Sequence, residues 1–380
     1  MSTEKKHSAK NPFIIYGYAG PQYFCDRKEE TEKIVTALHN GRNITLIAPR
    51  RIGKTGLIKN VFHQISSSEK DSICIYMDIF STRNTYEFVQ LFGKNVLEGM
   101  QTKGEQILSK ISTIFSNCRP TFSIDSVTGT PTISIDIVPS QEVQTLNDIF
   151  NYLGKSGKEC YIAIDEFQQI TQYPEQGTEA LLRSYIQFLP NVHFIFAGSS
   201  QHIMTEMFIS AKRPFYQSTQ LISLHPINEE TYYHFASNFF ELKGGGIREE
   251  IFHSVYSRFN GYTWYIQNIL NRLYEENDNV ESQSVADFTI AALIAENTPL
   301  YQALLSLLPD KQLVLLKAIA QEGAVVAPNN GAFINRYKLK AASSVSSALN
   351  ALLDKELAYK SDHGYIVYDR FLNLWLKEYQ

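Results

Sequence analysis

Ala48-Pro49-Arg50-Arg51-Ile52-Gly53-Lys54-Thr55 follows the apolar run Ile44-Thr45-Leu46-Ile47 and leads into a helical pattern through Leu57, Ile58, Val61 and Phe62. Strand, glycine-bearing loop and helix in that order form a phosphate-binding loop. Turn amides and a helix N-terminus direct positive partial charge at phosphate oxygens, a lysine reaches the outer phosphates, and the next hydroxyl holds magnesium. The expected nucleotide-binding set is therefore Ala48, Pro49, Arg50, Arg51, Ile52, Gly53, Lys54, Thr55 and Gly56. Ala48 stands where the pattern usually has its first glycine. Either the backbone there takes an angle that alanine tolerates, or phosphate affinity is reduced.

A second half is expected far downstream, and Tyr161-Ile162-Ala163-Ile164-Asp165-Glu166 supplies it. An apolar strand ending in two acids puts one carboxylate near a magnesium ion and the other where it orients or deprotonates a water. The alternative is a core strand ending in solvated acids. The intervening alternation of strand and helix patterns predicts a parallel α/β sheet. It includes the run Ser72–Asp78 and a helix over Tyr86–Met100.

Other classes are excluded by composition. The chain has 380 residues, 44% of them hydrophobic, enough for two or three domains, and a net charge of −4 that gives no bulk attraction to nucleic acid. The four cysteines, Cys25, Cys74, Cys118 and Cys160, are widely spaced, which argues against a zinc site or a disulfide framework and fits reduced thiols in a cytoplasm. No apolar run is long enough to predict a membrane span.

Along the chain, residues 1–22 read as a polar tail and aromatic lead-in, and a helix is expected from Phe24-Cys25-Asp26-Arg27 to near Asn40. Two alternating runs, Phe122–Asp125 and Ile133–Ile137 around Thr128-Gly129-Thr130-Pro131, predict an inserted β-hairpin. A helix near Thr145–Leu153, the acid-tipped strand and a helix over Gly177–Leu189 follow. The strand Val192–Ser200 and a short strand Leu221–Leu224 complete the core over 23–226. Residues 227–284 turn helical, with a break at Gly244-Gly245-Gly246 and a polar linker over Asn277–Ser284. Residues 285–380 give helices near Ala286–Glu296, Asp310–Glu322, Ile334–Leu339 and Ser343–Asp354. Two short strands around Asp362-His363-Gly364 then complete a winged helix.

With these motifs placed, the chain resembles the archaeal-type P-loop ATPases related to the STAND and AAA+ groups, in the form found in Bacteroides-type bacteria. The resemblance covers almost the whole chain. It rests on Arg50-Arg51-x-Gly-Lys-Thr, Ile164-Asp165-Glu166-Phe167-Gln168, Ala197-Gly198-Ser199-Ser200, Arg213-Pro214-Phe215-Tyr216, Gly261-Tyr262-Thr263-Trp264-Tyr265, and Val367-Tyr368-Asp369-Arg370-Phe371 with Trp375-Leu376. It implies a P-loop NTPase parallel-sheet core with a helical lid and a C-terminal winged helix, using ATP/ADP and Mg2+.

Carried onto this sequence, the resemblance assigns Lys54 to the β/γ-phosphates, Thr55 and Asp165 to magnesium, and Glu166 to the attacking water. Ser199 would sense the γ-phosphate, with Ser200 as its substitute; capping of a helix is the other reading of the pair. Arg213 would act as an arginine finger or remain a solvated surface residue. Arg50 and Arg51 would meet phosphate or stiffen the loop. Arg27, at the end of the lead-in, and Tyr262 would flank the adenine or sit in plain core. Thr263 replaces a proline frequent in related ATPases. Three functions remain open: a nucleotide-dependent switch with slow hydrolysis, a DNA-binding winged helix with an ATPase module, and a non-hydrolysing ADP-bound scaffold. The partners left open are a protein, a second copy of the chain, or DNA, with no membrane.

Overall fold

The computed structural model describes residues 11–100, 118–124, 131–138, 140–361 and 363–378. The chain divides into two compact units, one made of Ile14–Tyr232 with Tyr262–Trp264, the other of Met1–Phe13, Tyr233–Gly261 and Tyr265–Gln380.

The first unit is built on a five-stranded sheet in the order β2-β5-β6-β1-β7. The strands are β1 (Ile44–Ile47), β2 (Ile73–Asp78), β5 (Cys160–Asp165), β6 (Val192–Gly198) and β7 (Gln220–Ser223), and every pairing is parallel. β1, β5 and β6 are buried at every position, as strands covered on both faces must be. Their side chains alternate between two cores. Tyr161, Ala163, Ile195 and Ala197 face a cluster with Ile34 and Leu38 of α1 (Lys28–His39) and Leu57, Ile58 and Val61 of α2 (Lys54–Ser68). Cys160, Ile162, Ile164, Phe194 and Phe196 face the other. There they meet Phe88 and Phe92 of α3 (Thr85–Gly99), Ile149 and Phe150 of α4 (Glu142–Gly154), and Leu182 of α5 (Thr178–Ile186).

Sequence-based boundaries hold for most of this unit, with corrections at three places. α1 begins at Lys28, not at Phe24, because Asp26 and Arg27 both take left-handed backbone angles (φ 54° and 64°) that cannot enter a helix. The expected strand through Ser200 stops at Gly198, and the helix that the capping reading of the serine pair implied, α6 (Gln201–Ile209), follows with Ser200 at its N-cap position. The hairpin is present as antiparallel β3 (Cys118–Ile124) and β4 (Pro131–Ile137), longer than expected, with Asp125 and the turn Thr128–Thr130 outside the described residues.

The second unit is mostly helical. Its helices are α7 (Glu229–Leu242), α8 (Glu249–Arg258), α9 (Thr263–Glu276), α10 (Gln283–Ser306), α11 (Asp310–Glu322), α12 (Gly331–Arg336), α13 (Ala342–Asp354) and α14 (Arg370–Glu378). Two of them, α7 and α9, have their first residues in the sheet unit. The expected glycine break and polar linker turn out to pair with each other. β8 (Gly246–Ile247) and β9 (Asn279–Val280) form a short parallel ladder. α10 extends past its expected end at Glu296 and through Pro299. In the turn before the proline the side chains of Asn297 and Thr298 donate to the Leu293 and Ile294 carbonyls. The wing is the antiparallel pair β10 (Ala358–Ser361) and β11 (Gly364–Val367), extended by a bridge from Val325 to Tyr365.

Candidate nucleotide site

All the residues first paired by sequence pattern lie at the C-terminal ends of parallel strands, where open α/β sheets bind ligands. Lys54 opens α2 directly after the loop that leaves β1, and Gly53 before it is left-handed (φ 98°). Arg51 is left-handed as well (φ 68°). Alternation of left-handed residues in a loop turns successive amides toward one concavity and makes an anion nest. Ala48 is fully buried and is not among the positive-φ residues, so alanine is at ease there. Of the two alternatives for this position, the tolerated angle is the one observed.

Lys54 Nζ lies 2.7 Å from Asp165 Oδ1 and 3.2 Å from Glu166 Oε1. Thr55 donates to Asp165 Oδ2 at 3.0 Å. The other Glu166 oxygen accepts from Ser199 Oγ at 2.6 Å and from Gln168 Nε2 at 2.5 Å. Loop, acidic strand end and hydroxyl-tipped strand end thus converge on one cluster. Burial disfavours the charged form of Glu166, but the Lys54 charge and the Ser199 and Gln168 donors outweigh it and hold the carboxyl below its usual range. Glu166 also sits in a left-handed backbone (φ 55°), a conformation that costs an ordinary L-residue roughly 1–2 kcal/mol.

Three participants escaped the sequence reading. Tyr76 of β2 donates its hydroxyl to Asp165 Oδ2 at 2.9 Å, and burial together with the Asp165 charge pushes the phenol up. Gln168 is buried, donates to Glu166 and leaves its Oε1 without a partner among the described residues. Asp78 pairs in register with Asp165, and burial raises its carboxyl, with further repulsion from Asp165 and Glu166. The period of β2 places Tyr76 and Asp78 on one face, but only the strand order reveals that Asp165 is their neighbour.

Other expected site residues are placed differently. Arg27 is buried, bound to Glu30 at 2.8 Å and to the Ile52 carbonyl at 3.3 Å. The Arg50 guanidinium lies over the Phe80 ring at 5.2 Å, and that of Arg51 over Trp264 at 4.5 Å. Tyr262 is partly buried against the core that contains Ala48 and Ile52, and the Phe24 ring lies beside Gly56. Arg213 is bonded to Glu179 of α5 and lies 3.6 Å from Glu206 of α6. These contacts do not join Arg213 to the Lys54 cluster. Ser200 meets His202 at 3.3 Å and, although at the N-cap position, makes no side-chain capping bond.

A parallel sheet with a phosphate loop after its β1 strand and acids at the tip of β5, one strand removed from β1 across β6, defines a P-loop NTPase core. A family model described as an ATPase domain predominantly from Archaea matches residues 24–269, and one described as "Probable winged helix domain" matches residues 299–378. The chain belongs to this archaeal-type ATPase family and carries a C-terminal winged helix. It is 25% identical over 216 residues to an uncharacterized ATP-binding protein of Methanocaldococcus jannaschii, a match covering 50% of this chain and 53% of the relative. The chain thus spans about half the length of that curated relative.

Solved structures show the same fold. The Walker-type ATPase of Pyrococcus abyssi superimposes with a TM-score of 0.64 at 17% identity, covering 96% of this chain and 99% of that one. The ORC2 protein of Aeropyrum pernix, solved in ADPNP–ADP complexes, gives 0.58 at 16% identity, covering 98% and 96%. Among the described residues, no helix is long and apolar enough to cross a membrane.

Proposed function

We propose that this protein is a slow, magnesium-dependent ATPase that works as a nucleotide-responsive switch of the STAND/AAA+ kind. The observation that carries the reading is the convergence of Lys54, Thr55, Asp165, Glu166 and Ser199 on one cluster. We assign Lys54 to the β/γ-phosphates, Ser199 to the γ-phosphate and Glu166 to the attacking water. Thr55 Oγ1 and Asp165 Oδ2 are hard oxygen donors 3.0 Å apart, the chemistry magnesium selects, and they would hold an ion that neutralises phosphate charge. Domains are proposed at 23–226 for the core, 227–284 for a lid and 285–380 for the winged helix, after a lead-in over 1–22, in a cytoplasmic protein.

Slow turnover follows from how Glu166 is held. Its oxygens already accept from Lys54, Ser199 and Gln168, so it is a weak base until some of these donors leave. Arg213 would serve as a finger only after leaving Glu179. A protein partner or a second copy of the chain is favoured over DNA for the winged helix. Of the basic residues preceding α13, Arg336 is tied to Glu322 at 2.5 Å, leaving fewer free charges for phosphate.

Steady-state phosphate release from purified full-length protein, with Glu166→Gln alongside, tests the reading. The variant should bind ATP like the wild type and lose about 10²–10⁴-fold in turnover. Equal turnover in both proteins would remove Glu166 from the reaction, and no ATP binding by the wild type would end the reading.

A further inference from the structure

Residues Tyr262–Trp264 belong to the same compact unit as the phosphate loop although they lie far along the chain from it. Their bonds to that loop are specific. Thr263 Oγ1 donates to the Ile52 carbonyl at 3.1 Å, and the same oxygen accepts from Arg27 Nη2 at 3.3 Å. The Trp264 amide donates to the Arg51 carbonyl at 3.0 Å, while the Arg51 guanidinium stacks over the Trp264 indole.

A peptide unit is planar and trans, so its carbonyl and the following N–H point in opposite directions. Holding the Arg51 oxygen from outside fixes where the Ile52 N–H points, and holding the Ile52 oxygen fixes the Gly53 N–H. Both amides lie in the stretch where Arg51 and Gly53 are left-handed, the stretch that forms the nest. We infer that Thr263, assisted by Arg27 and the Trp264 amide, is a positioning residue that clips the outer side of the phosphate loop and keeps its inner amides aimed at phosphate. Thr263 acts through the loop and has no direct part in the chemistry. The inference rests on the reading of this loop as a nucleotide-phosphate site.

The geometry sets the demand on side chains. A hydroxyl is required at 263, and a methyl in its place leaves the Ile52 oxygen with one side-chain donor instead of two. Preorganised amides bind ground state and transition state alike, so their loss raises KM and leaves kcat in place.

The test uses full-length protein with Mg-ATP, reading KM and kcat by phosphate release and Kd by calorimetry. Thr263→Val should raise KM and Kd about tenfold with kcat within about twofold. Thr263→Ser should restore wild-type values, and Arg27→Met should weaken binding in the same sense from the other side of the loop. Melting temperatures of the ligand-free proteins are measured in parallel. Unchanged Kd in both Thr263→Val and Arg27→Met overturns the clip. So does a serine variant as weak as the valine one, because size would then matter and not the hydroxyl. A wild type that does not bind ATP fails the phosphate reading itself and takes the clip with it, an outcome distinct from a wild type that binds and variants that match it.

Discussion

Replacing Lys54 with methionine should destabilise the sheet unit, beyond any effect on nucleotide binding. The ammonium group is 2.7 Å from Asp165 and 3.2 Å from Glu166, and the three side chains are 7%, 3% and 12% exposed. Methionine keeps the stem and removes the charge, leaving two buried carboxylates side by side. Breaking a buried ion pair from one end costs about 3–5 kcal/mol. The lower end is expected, because Thr55 and Tyr76 still donate to Asp165, and Ser199 and Gln168 to Glu166. Urea denaturation read by Trp264 in a Trp375→Phe background isolates the sheet unit, since these are the chain's two tryptophans. Lys54→Met/Glu166→Gln should recover at least about 1 kcal/mol, because one of the facing charges is gone. The pH dependence has a definite sign. Glu166 titrates below its ordinary value of 4.5 despite burial, so the stability it contributes is complete above that value and is lost as pH falls through the lower folded value. The gap between wild type and Lys54→Met should therefore be full at neutral pH and shrink in acid. A Lys54→Met protein within about 1 kcal/mol of wild type, or a double variant no more stable than the single one, would refute the account of the cluster as a buried, mutually dependent set.

Gly198→Ala should lower the stability of the same unit by about 1–3 kcal/mol, measured by the same denaturation. The added methyl would run into the Gln168 side chain and into Met204, which is completely buried and cannot swing away. Ala48→Gly should not tighten ATP binding in calorimetry, since Ala48 is not in a left-handed backbone, and should cost about 0.4–1 kcal/mol through the freer unfolded chain. A tenfold gain in affinity would show that the alanine had been limiting the loop after all.

What the sequence made legible was local in character. The β1 strand, the loop and α2 are contiguous, and their order alone is diagnostic. The runs of β5 and β6, apolar but for Asp165 and His193, announce strands buried on both faces, and the two faces separate by simple alternation. The illegible parts depend on tertiary neighbours. Nothing in Phe24–Arg27 signals that two consecutive residues will adopt left-handed angles and delay α1. Gln168 follows the acid pair closely, but its donation to Glu166 comes from a tight 3-10 turn, Phe167–Gln172, that periodicity does not encode. Arg213 lies in a motif that suggests a free finger, whereas its partners, Glu179 and Glu206, come from two separate helices. Thr263 reads as a departure from a proline-bearing pattern. Its hydroxyl, which a proline lacks, is what reaches the Ile52 carbonyl.

The partners of these groups also bear on why a switch fits better than a fast enzyme. Each side chain assigned to phosphate, metal or water already has bonds within the chain: Lys54 to two carboxylates, Thr55 to Asp165, and Ser199 to Glu166. A triphosphate entering such a cluster exchanges contacts, and its net affinity is the difference between bonds gained and bonds released. On the proposed assignments, the released groups are the ones that hold Glu166 as a weak base, so a triphosphate that displaces only some of them leaves that carboxylate unarmed. Under the proposed function, coupling of that kind would make hydrolysis conditional on how completely Lys54 and Ser199 leave Glu166. A bound triphosphate can then persist as a state of its own, which is what a switch requires and what a rapidly cycling hydrolase avoids.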